Sequence, residues 1–196
     1  MAIAKRKKRF FEVEMPLIKK TTQLQAYEIK ELNGKIIKYD LTRVLRGKSL
    51  MLKLTVKVEG EKILTIPKEI SLMPYFLRRM VRKGTNYVED SFQTECKDAK
   101  ITIKPFLITR RKVSRDVRRA LRERAKEELI NYAKNKSAET LFDERLKNLI
   151  QKPLSLKLKK IYPLSLCEIK VLKVDKFLEN EEDKNSKKET KESKEK

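Results

Sequence analysis

Apolar and polar residues alternate from Leu50 to Val58, which is the clearest pattern in the chain. Apolar side chains at every second position predict a β-strand with one buried side and one solvent-facing side. The following pair Glu59-Gly60 predicts a turn, so residues 63–66 are expected to return as the partner strand of a hairpin. A shorter apolar stretch predicts a further strand at residues 36–39.

A second hairpin is predicted from residues 87–96 and 101–108, with its turn at residues 97–99. Pro105 lies in its second strand. Because proline has no N–H to donate to a neighbouring strand, we expect this strand to lie at a sheet edge or to be bulged there.

Helical patterns interrupt these strands. Residues 74–83 predict a short helix, with a proline in its first turn and Gly84 just after its end. A longer helix is expected from an N-cap at Ser114 to about residue 135, and a third helix is expected after Ser137. The third helix is expected to bury four apolar side chains, Leu141, Phe142, Leu146 and Leu149.

A final strand is predicted where Cys167, Ile169 and Val171 alternate with Glu168 and Lys170. By the two-residue period of a strand, the glutamate and the lysine are expected to face solvent. Strands come first, helices later, and one strand closes the series. This order favours an α+β fold with a mostly antiparallel sheet or small barrel over a doubly wound fold.

Charge adds a strong constraint on function. The 196 residues include 50 Lys and Arg against 28 Asp and Glu, which gives a net charge of +22. An excess of this size repels itself in the compact state and attracts polyanions. A nucleic acid is therefore the expected partner, with an anionic membrane surface as the polyanion to be weighed against it.

The positive charge is concentrated at the start of the long predicted helix. On a helical projection, Val117, Leu121, Ala125 and Tyr132 share one side that can pack on a sheet. The cations on roughly the opposite side are Arg115, Arg118, Arg119, Arg122 and Lys126. This segregation favours contact with a phosphate backbone over a solvated helix, which would intersperse the two signs in i,i+4 pairs. Arginine also binds phosphate through two parallel hydrogen bonds.

Three other basic clusters are candidate RNA contacts. They are Arg110, Arg111 and Lys112 in the loop before the long helix; Arg78, Arg79, Arg82 and Lys83 in the short helix; and Lys5, Arg6, Lys7, Lys8 and Arg9 near the amino terminus. The short helix can also be read as a plain amphipathic surface helix. The amino-terminal run, with two phenylalanines behind it, is typical of an RNA-threading arm, but similar runs occur in nuclear-localisation signals.

Composition divides the chain into three zones. Residues 1–21 are basic and aromatic without a periodic apolar side, so we expect an arm that forms no core alone. Residues 22–177 are expected to form one RNA-binding α+β domain. Residues 178–196 have no apolar residue after the first and slightly more acid than base, so we expect a disordered charged tail.

Catalytic and metal-binding chemistry find little support in the sequence. The chain has no histidine, which removes the commonest general base and the usual Ser–His and Cys–His pairs. Cys96 and Cys167 are far apart, so we expect neither a zinc site nor a disulfide and interpret both as core or sheet residues. We expect no enzyme activity and no cofactor. No apolar run approaches the length of a membrane span or a secretory signal, so a cytoplasmic protein without a membrane partner is expected.

Several blocks carry a resemblance to a known family. They are Leu77-Arg78-Arg79-Met80-Val81-Arg82-Lys83, Thr109-Arg110-Arg111 with the arginine-rich helix after it, and Lys160-Ile161-Tyr162-Pro163-Leu164. Together they resemble the archaeal and eukaryotic ribosomal protein S-three-a-e family, also called eukaryotic-type S-one, of the small ribosomal subunit. The resemblance covers about residues 5–175.

The resemblance implies an antiparallel β-barrel-like body with helices packed beside it and an extended basic amino-terminal arm. It implies a ribosome-associated structural constituent that binds small-subunit ribosomal RNA on the platform, near the messenger RNA exit. Neighbouring platform proteins are implied as partners, with messenger RNA or initiation factors as further options. The short tail favours an archaeal-type member.

Three other functions compete with this reading. A free-standing RNA- or DNA-binding protein would need a reading module such as a zinc finger, a basic zipper or an RNA-recognition motif, and none is visible in the sequence. An RNA-processing enzyme would need converging carboxylates or a cofactor loop. Membrane-surface binding is disfavoured because the basic helix lacks a large exposed apolar side.

Overall fold

Four α-helices and nine strands form a mixed α+β fold among the residues that the structure describes. The computed structural model describes residues 7–45, 47–60 and 62–178. The chain divides into two compact units, Met1–Arg79 and Met80–Lys196. The α+β class expected from the sequence is confirmed.

The described part of the first unit is built on five strands, which pair in the order β2–β1–β5–β4–β3. Every pair is antiparallel except β1 with β5. The strands are Arg9–Met15 (β1), Lys20–Ala26 (β2), Ile36–Asp40 (β3), Leu50–Glu59 (β4) and Lys62–Leu72 (β5). The predicted hairpin after the alternating segment is confirmed, with Glu59 opposite Lys62.

The sheet of the first unit curves around one apolar core. Leu24 on β2 and Ile37 on β3, at opposite ends of the strand order, pack against the same buried cluster, which includes Val13. Where these two strands approach each other, Lys20 Nζ lies 3.4 Å from the hydroxyl oxygen of Tyr39. No backbone pairing joins β2 to β3 in the described residues, so the expected barrel is not closed by main-chain hydrogen bonds.

The structure contradicts the expected amino-terminal arm for residues 9–21, which form β1, a turn and the start of β2. Val13 and Met15 of β1 are buried, so this segment contributes to the core. The other positions of the strand include two glutamates, which made the segment look like a charged arm. The parts of the expected arm and tail that lie outside the described residues are 1–6 and 179–196.

The described strands of the second unit are arranged around one central strand. They are Tyr87–Glu89 (β6), Phe92–Glu95 (β7), Ala99–Thr109 (β8) and Leu164–Phe177 (β9). β9 pairs along one side of β8, while β6 and β7 follow one another along its other side, all antiparallel. The predicted second hairpin is therefore confirmed, although its first strand is split in two.

Pro105 explains this split. In the pairing of β8 with β9 the register shifts between Lys104 and Pro105. On the other side of β8, the same two residues face the break between β6 and β7 at Asp90 and Ser91. Because Pro105 has no N–H, regular pairing is interrupted there. The strand is central and bulged, so of the two sequence alternatives the bulge is confirmed.

Three helices belong to the second unit and one lies at the boundary between the units. They are Pro74–Met80 (α1, at the boundary), Arg115–Lys134 (α2), Ala138–Leu146 (α3) and Gln151–Lys159 (α4). The predicted N-caps are confirmed, since the Ser114 and Ser137 hydroxyls accept hydrogen bonds from backbone N–H groups three residues later. Leu149 was wrongly assigned to the buried side of α3. It is 48% exposed, because α3 ends at Leu146 and the chain then turns.

Glu168 contradicts the expectation that it faces solvent, since it is only 4% exposed. Its Oε2 lies 3.5 Å from Nη1 of the buried Arg145, whose Nη2 donates to the carbonyl of Ile169 at 2.7 Å. Burial lowers the pKa of Arg145, and the charge of Glu168 opposes that effect. The register shift near Lys170 breaks the alternation of β9, so a period of two could not be carried along it.

Candidate nucleic-acid interface

The start of α2 is fixed by a regular N-cap. The Ser114 hydroxyl accepts a hydrogen bond from the Val117 N–H at 3.3 Å, and Ser114 itself has extended backbone geometry. Asp116 in the first turn places a negative charge near the positive end of the helix dipole. These local features determine where the basic side chains of the helix begin.

The buried side of α2 winds around the helix. Its buried residues are Leu121, Ala125, Leu129 and Ala133. Because four residues turn an α-helix by about 400°, each step of four moves the buried side on by about 40°. By Leu129 and Ala133 it reaches the side that Arg115 and Arg122 occupy at the start. The exposed cationic side is therefore confined to the first half of the helix.

Four arginines meet on this side. Arg115, Arg118, Arg119 and Arg122 line an open depression of about 310 Å³, which we call the arginine patch. It extends for about 10 Å along the helix axis, given a rise of about 1.5 Å per residue. Arg119 donates to Glu123 at 2.8 Å, and this hydrogen bond raises the pKa of Arg119. The other three arginines form no ion pair with any residue in the described ranges.

Lys126, the fifth cation predicted for this side, does not line the arginine patch. Its Nζ lies 6.0 Å from the ring centre of Phe92 on β7, within reach of a weak cation–π contact. The long lysine side chain therefore reaches back toward the sheet. The structure brings together four of the five cations that the helical projection grouped.

The loop that carries Arg110, Arg111 and Lys112 is held by Asn86 and Thr109. Thr109 is fully buried, and its hydroxyl accepts from the Asn86 N–H at 3.1 Å and lies 2.7 Å from the Arg111 carbonyl oxygen. The side-chain carbonyl of Asn86 accepts from the N–H of Val113 at 2.9 Å. These contacts fix the loop at both ends while its three cations remain exposed. Sequence reasoning missed both anchoring residues, because one asparagine and one threonine have no distinctive pattern.

The basic residues near α1 are divided by the end of that helix. The predicted helix of residues 74–83 ends at Met80, and the next residue, Val81, is 37% exposed, so it gives little packing that would extend the helix. Arg78 and Arg79 are exposed on α1, in the first unit. Arg82 and Lys83 follow the helix in the second unit and are also exposed.

The described part of the amino-terminal basic run lies beside exposed aromatic rings. Lys7, Lys8 and Arg9 are exposed, and the Nζ of Lys8 lies 5.6 Å from the ring centre of Tyr27. Phe10 is 64% exposed on β1. Lys5 and Arg6 lie outside the described residues. Lys7, Lys8 and Arg9 thus form a basic surface on the first unit.

Two glutamates of the second unit, Glu89 and Glu128, form ion pairs. Glu89 lies 2.9 Å from the Nζ of Lys170, and Glu128 contacts Lys157 and Arg124. The hydrogen bond from Lys157 is the main cause that lowers the pKa of Glu128. Within the described ranges, no three residues of the His, Cys, Asp and Glu types come together as metal ligands. Nor does any described helix have the length and apolar character needed to cross a membrane.

Comparisons with a family model and with individual proteins agree on one family. A family model described as the ribosomal S3Ae family matches residues 4–177. Similar proteins from archaea carry the name small ribosomal subunit protein eS1. The one from Nanoarchaeum equitans is 27% identical over 167 residues, which are 81% of this chain and 84% of that protein.

Two other relatives show how the coverage varies. The protein from Pyrobaculum aerophilum is 30% identical over 146 residues, which are 74% of this chain and 66% of that protein. The protein from Methanothermobacter thermautotrophicus is 32% identical over 95 residues, 48% of this chain and 49% of that protein. The match thus spans most of the Nanoarchaeum protein, about two thirds of the Pyrobaculum protein and about half of the Methanothermobacter protein.

Proposed function

The chain belongs to the ribosomal S3Ae family, and on that premise we propose that it is a structural constituent of the small ribosomal subunit that binds ribosomal RNA. The relatives named small ribosomal subunit protein eS1 support this assignment. The observation that carries the RNA-binding part is the arginine patch, where three of four guanidinium groups have no carboxylate partner in the described ranges.

The arginine patch suits a phosphate backbone for two physical reasons. A guanidinium group offers a planar fork of N–H donors that matches two phosphate oxygens, and it is charged at every physiological pH. Neutralised phosphates also release condensed counterions, which makes binding favourable at low salt. The fixed loop with Arg110, Arg111 and Lys112 adds cations directly before this helix.

The other basic residues that the sequence predicted as RNA contacts are proposed to bind RNA as well. On the second unit they are Arg82, Lys83 and Lys126, and on the first unit Lys7, Lys8, Arg9, Arg78 and Arg79, with Lys5 and Arg6 outside the described residues. Side chains of this kind read a folded RNA by its shape and phosphates rather than by base sequence.

The finer parts of the proposal concern place and partners. We place the protein in the cytoplasm, on the platform of the small subunit near the messenger RNA exit. Neighbouring ribosomal proteins are its proposed protein partners there, with a role in docking messenger RNA or initiation factors. The role is one of scaffolding, without catalysis, and residues 178–196 are proposed to be dispensable for it.

Sedimentation of a cell lysate through sucrose gradients at low and high salt tests the proposal. We expect the protein to migrate with small subunits and whole ribosomes and to stay with them at moderate salt. Release at modest salt, or migration as a free species, would instead support a free-standing RNA- or DNA-binding protein.

A further inference from the structure

Helix α4 carries a basic surface that differs from the arginine patch in composition. Lysines supply its exposed charge, at positions Lys152, Lys157, Lys159 and Lys160. No Asp or Glu occurs anywhere from Arg145 to Cys167. An apolar side chain stands among these lysines, since Leu156 is 69% exposed. The surface is therefore both cationic and apolar.

An apolar groove adjoins this surface, between α2 and α4. Its volume is about 160 Å³, and its lining includes Leu129 and Tyr132 of α2 and Pro153 and Leu154 of α4. An apolar cavity of roughly this size can hold a benzene-sized group. Pro153 lines the groove, and Leu156 lies three residues further along α4. Residues three apart are neighbours on a helix surface, so Leu156 lies next to the groove.

The charged groups at the rim of the groove form ion pairs with one another. Its one acid is Glu128, whose two carboxylate oxygens lie 2.5 Å from Lys157 Nζ and 2.8 Å from Arg124 Nη2. Arg124 also lies 3.3 Å from Glu127, whereas Lys152, Lys159 and Lys160 form no ion pair with a described residue, so the surplus positive charge belongs to α4. A single exposed leucine is ordinary on a protein surface. Leu156 stands beside an apolar groove and three or four residues from Lys152, Lys159 and Lys160, which is a combination suited to binding.

We propose that this groove, together with Leu156 and the surrounding lysines, binds an acidic amphipathic helix of a partner protein. Such a helix presents apolar anchors at intervals of three or four residues, which can fill the groove and cover Leu156. Acidic residues beside the anchors complement the lysines and guide the encounter.

The chemistry of the surface favours a protein over RNA as the occupant. The sugar–phosphate backbone of a paired RNA has no projecting apolar side group that can fill the groove. Lysine is a hydrated point charge without the bidentate fork that distinguishes the arginine patch. The inference goes beyond the proposed function, because an acidic helix can bind here on or off the ribosome.

Photo-crosslinking in cells tests the proposal. A photoreactive amino acid replaces Leu156 in the full chain, and the crosslinked segment is identified by mass spectrometry after irradiation. We expect an adduct with a protein segment that has apolar residues three or four apart and acids beside them. We also expect Lys152→Glu with Lys160→Glu to lower the yield by about tenfold, because charge complementarity is reversed.

A matched pair of substitutions controls for net charge. Lys97→Glu with Lys176→Glu changes two exposed lysines of the same unit and is expected to alter the yield by less than about twofold. Circular dichroism checks that each variant keeps its helices. An adduct with RNA, with a second copy of this chain or with a segment that lacks acids would overturn the proposal. So would the absence of any adduct, or an equal loss of yield in the control pair.

Discussion

Leu129 lies seven residues after Arg122 on nearly the same side of α2, yet Leu129 is buried and Arg122 is exposed. The two occupy one side because seven residues make almost two full turns. The sheet covers one part of the helix and α4 lies beside the later part, where Leu129 lines the groove. The side of α2 that carries the four arginines is therefore exposed only over the first half of the helix.

Replacing Thr109 with valine is expected to loosen the loop before α2. The substitution leaves the Asn86 N–H and the Arg111 carbonyl without their buried partner, which costs about 1–3 kcal/mol of the free energy of unfolding. Urea unfolding followed by the helical circular dichroism signal measures this loss, since α2, α3 and α4, which give most of that signal, lie in the second unit. As a control, Thr94→Val changes a buried threonine whose hydroxyl has no hydrogen bond to a described residue. An equal loss in the two variants would refute the role of the Asn86–Thr109 contacts.

Replacing Arg145 with methionine is expected to be strongly destabilising. It removes the guanidinium group that faces the buried carboxylate of Glu168, and breaking a buried pair in this way costs about 3–5 kcal/mol. The double variant Arg145→Met with Glu168→Met should recover much of that loss, because it removes the buried carboxylate together with the guanidinium group. Urea unfolding of the three proteins provides the comparison. Lys147→Met, which removes an exposed pair with Asp143, should cost less than about 1 kcal/mol.

Cys96 is expected to make stability depend on alkaline pH. Burial first, and the charge of Asp98 second, raise the pKa of its thiol to about 11. An unfolded cysteine ionises near pH 8.5, so between about pH 8.5 and 11 the unfolded chain has released a proton that the folded chain still holds. The free energy of unfolding must then fall as pH rises through this window. The difference between wild type and Cys96→Ala, measured by urea unfolding, isolates the effect, and a difference independent of pH would contradict it.

The loop cations should determine part of the salt dependence of RNA binding. The affinity falls as salt rises, and each lost phosphate contact makes the slope of log affinity against log salt shallower by about one. For the purified chain and ribosomal RNA, the triple variant Arg110→Ala, Arg111→Ala and Lys112→Ala should therefore have a slope that is shallower by about three. The triple variant Lys97→Ala, Lys134→Ala and Lys176→Ala removes the same charge from other exposed positions. Equal slopes in both variants would show that only net charge matters.

Local patterns predicted the parts of the fold that depend on local physics. The alternation in β4, the hairpin turn at Gly60 and the serine N-caps of α2 and α3 were all readable, because neighbouring residues determine them. Pro105 predicted an irregularity for the same reason, since its missing N–H does not depend on the rest of the fold. The arginines of α2 were grouped correctly by helical geometry alone.

Features that depend on distant parts of the chain were missed. Glu168 is buried because Arg145, on a helix that precedes it, meets it across the second unit. Lys126 leaves its helical neighbours because Phe92 lies within reach. Strand β1 gains its core role only through pairing with β2 and β5. No single stretch of sequence contains these relationships, so a reading based on periodicity could not find them.

Incorporation of one variant into small subunits tests the central proposal most directly. The variant carries Arg115→Glu, Arg118→Glu, Arg119→Glu and Arg122→Glu, and its control reverses four other exposed lysines, Lys97, Lys134, Lys147 and Lys176. Both are expressed as tagged full chains beside the wild type, and their share in purified small subunits is measured. We expect the arginine variant to be absent from the subunits while it keeps its helical circular dichroism, and the lysine control to be incorporated. Incorporation of the arginine variant at the level of the wild type would contradict the assignment of the arginine patch to ribosomal RNA.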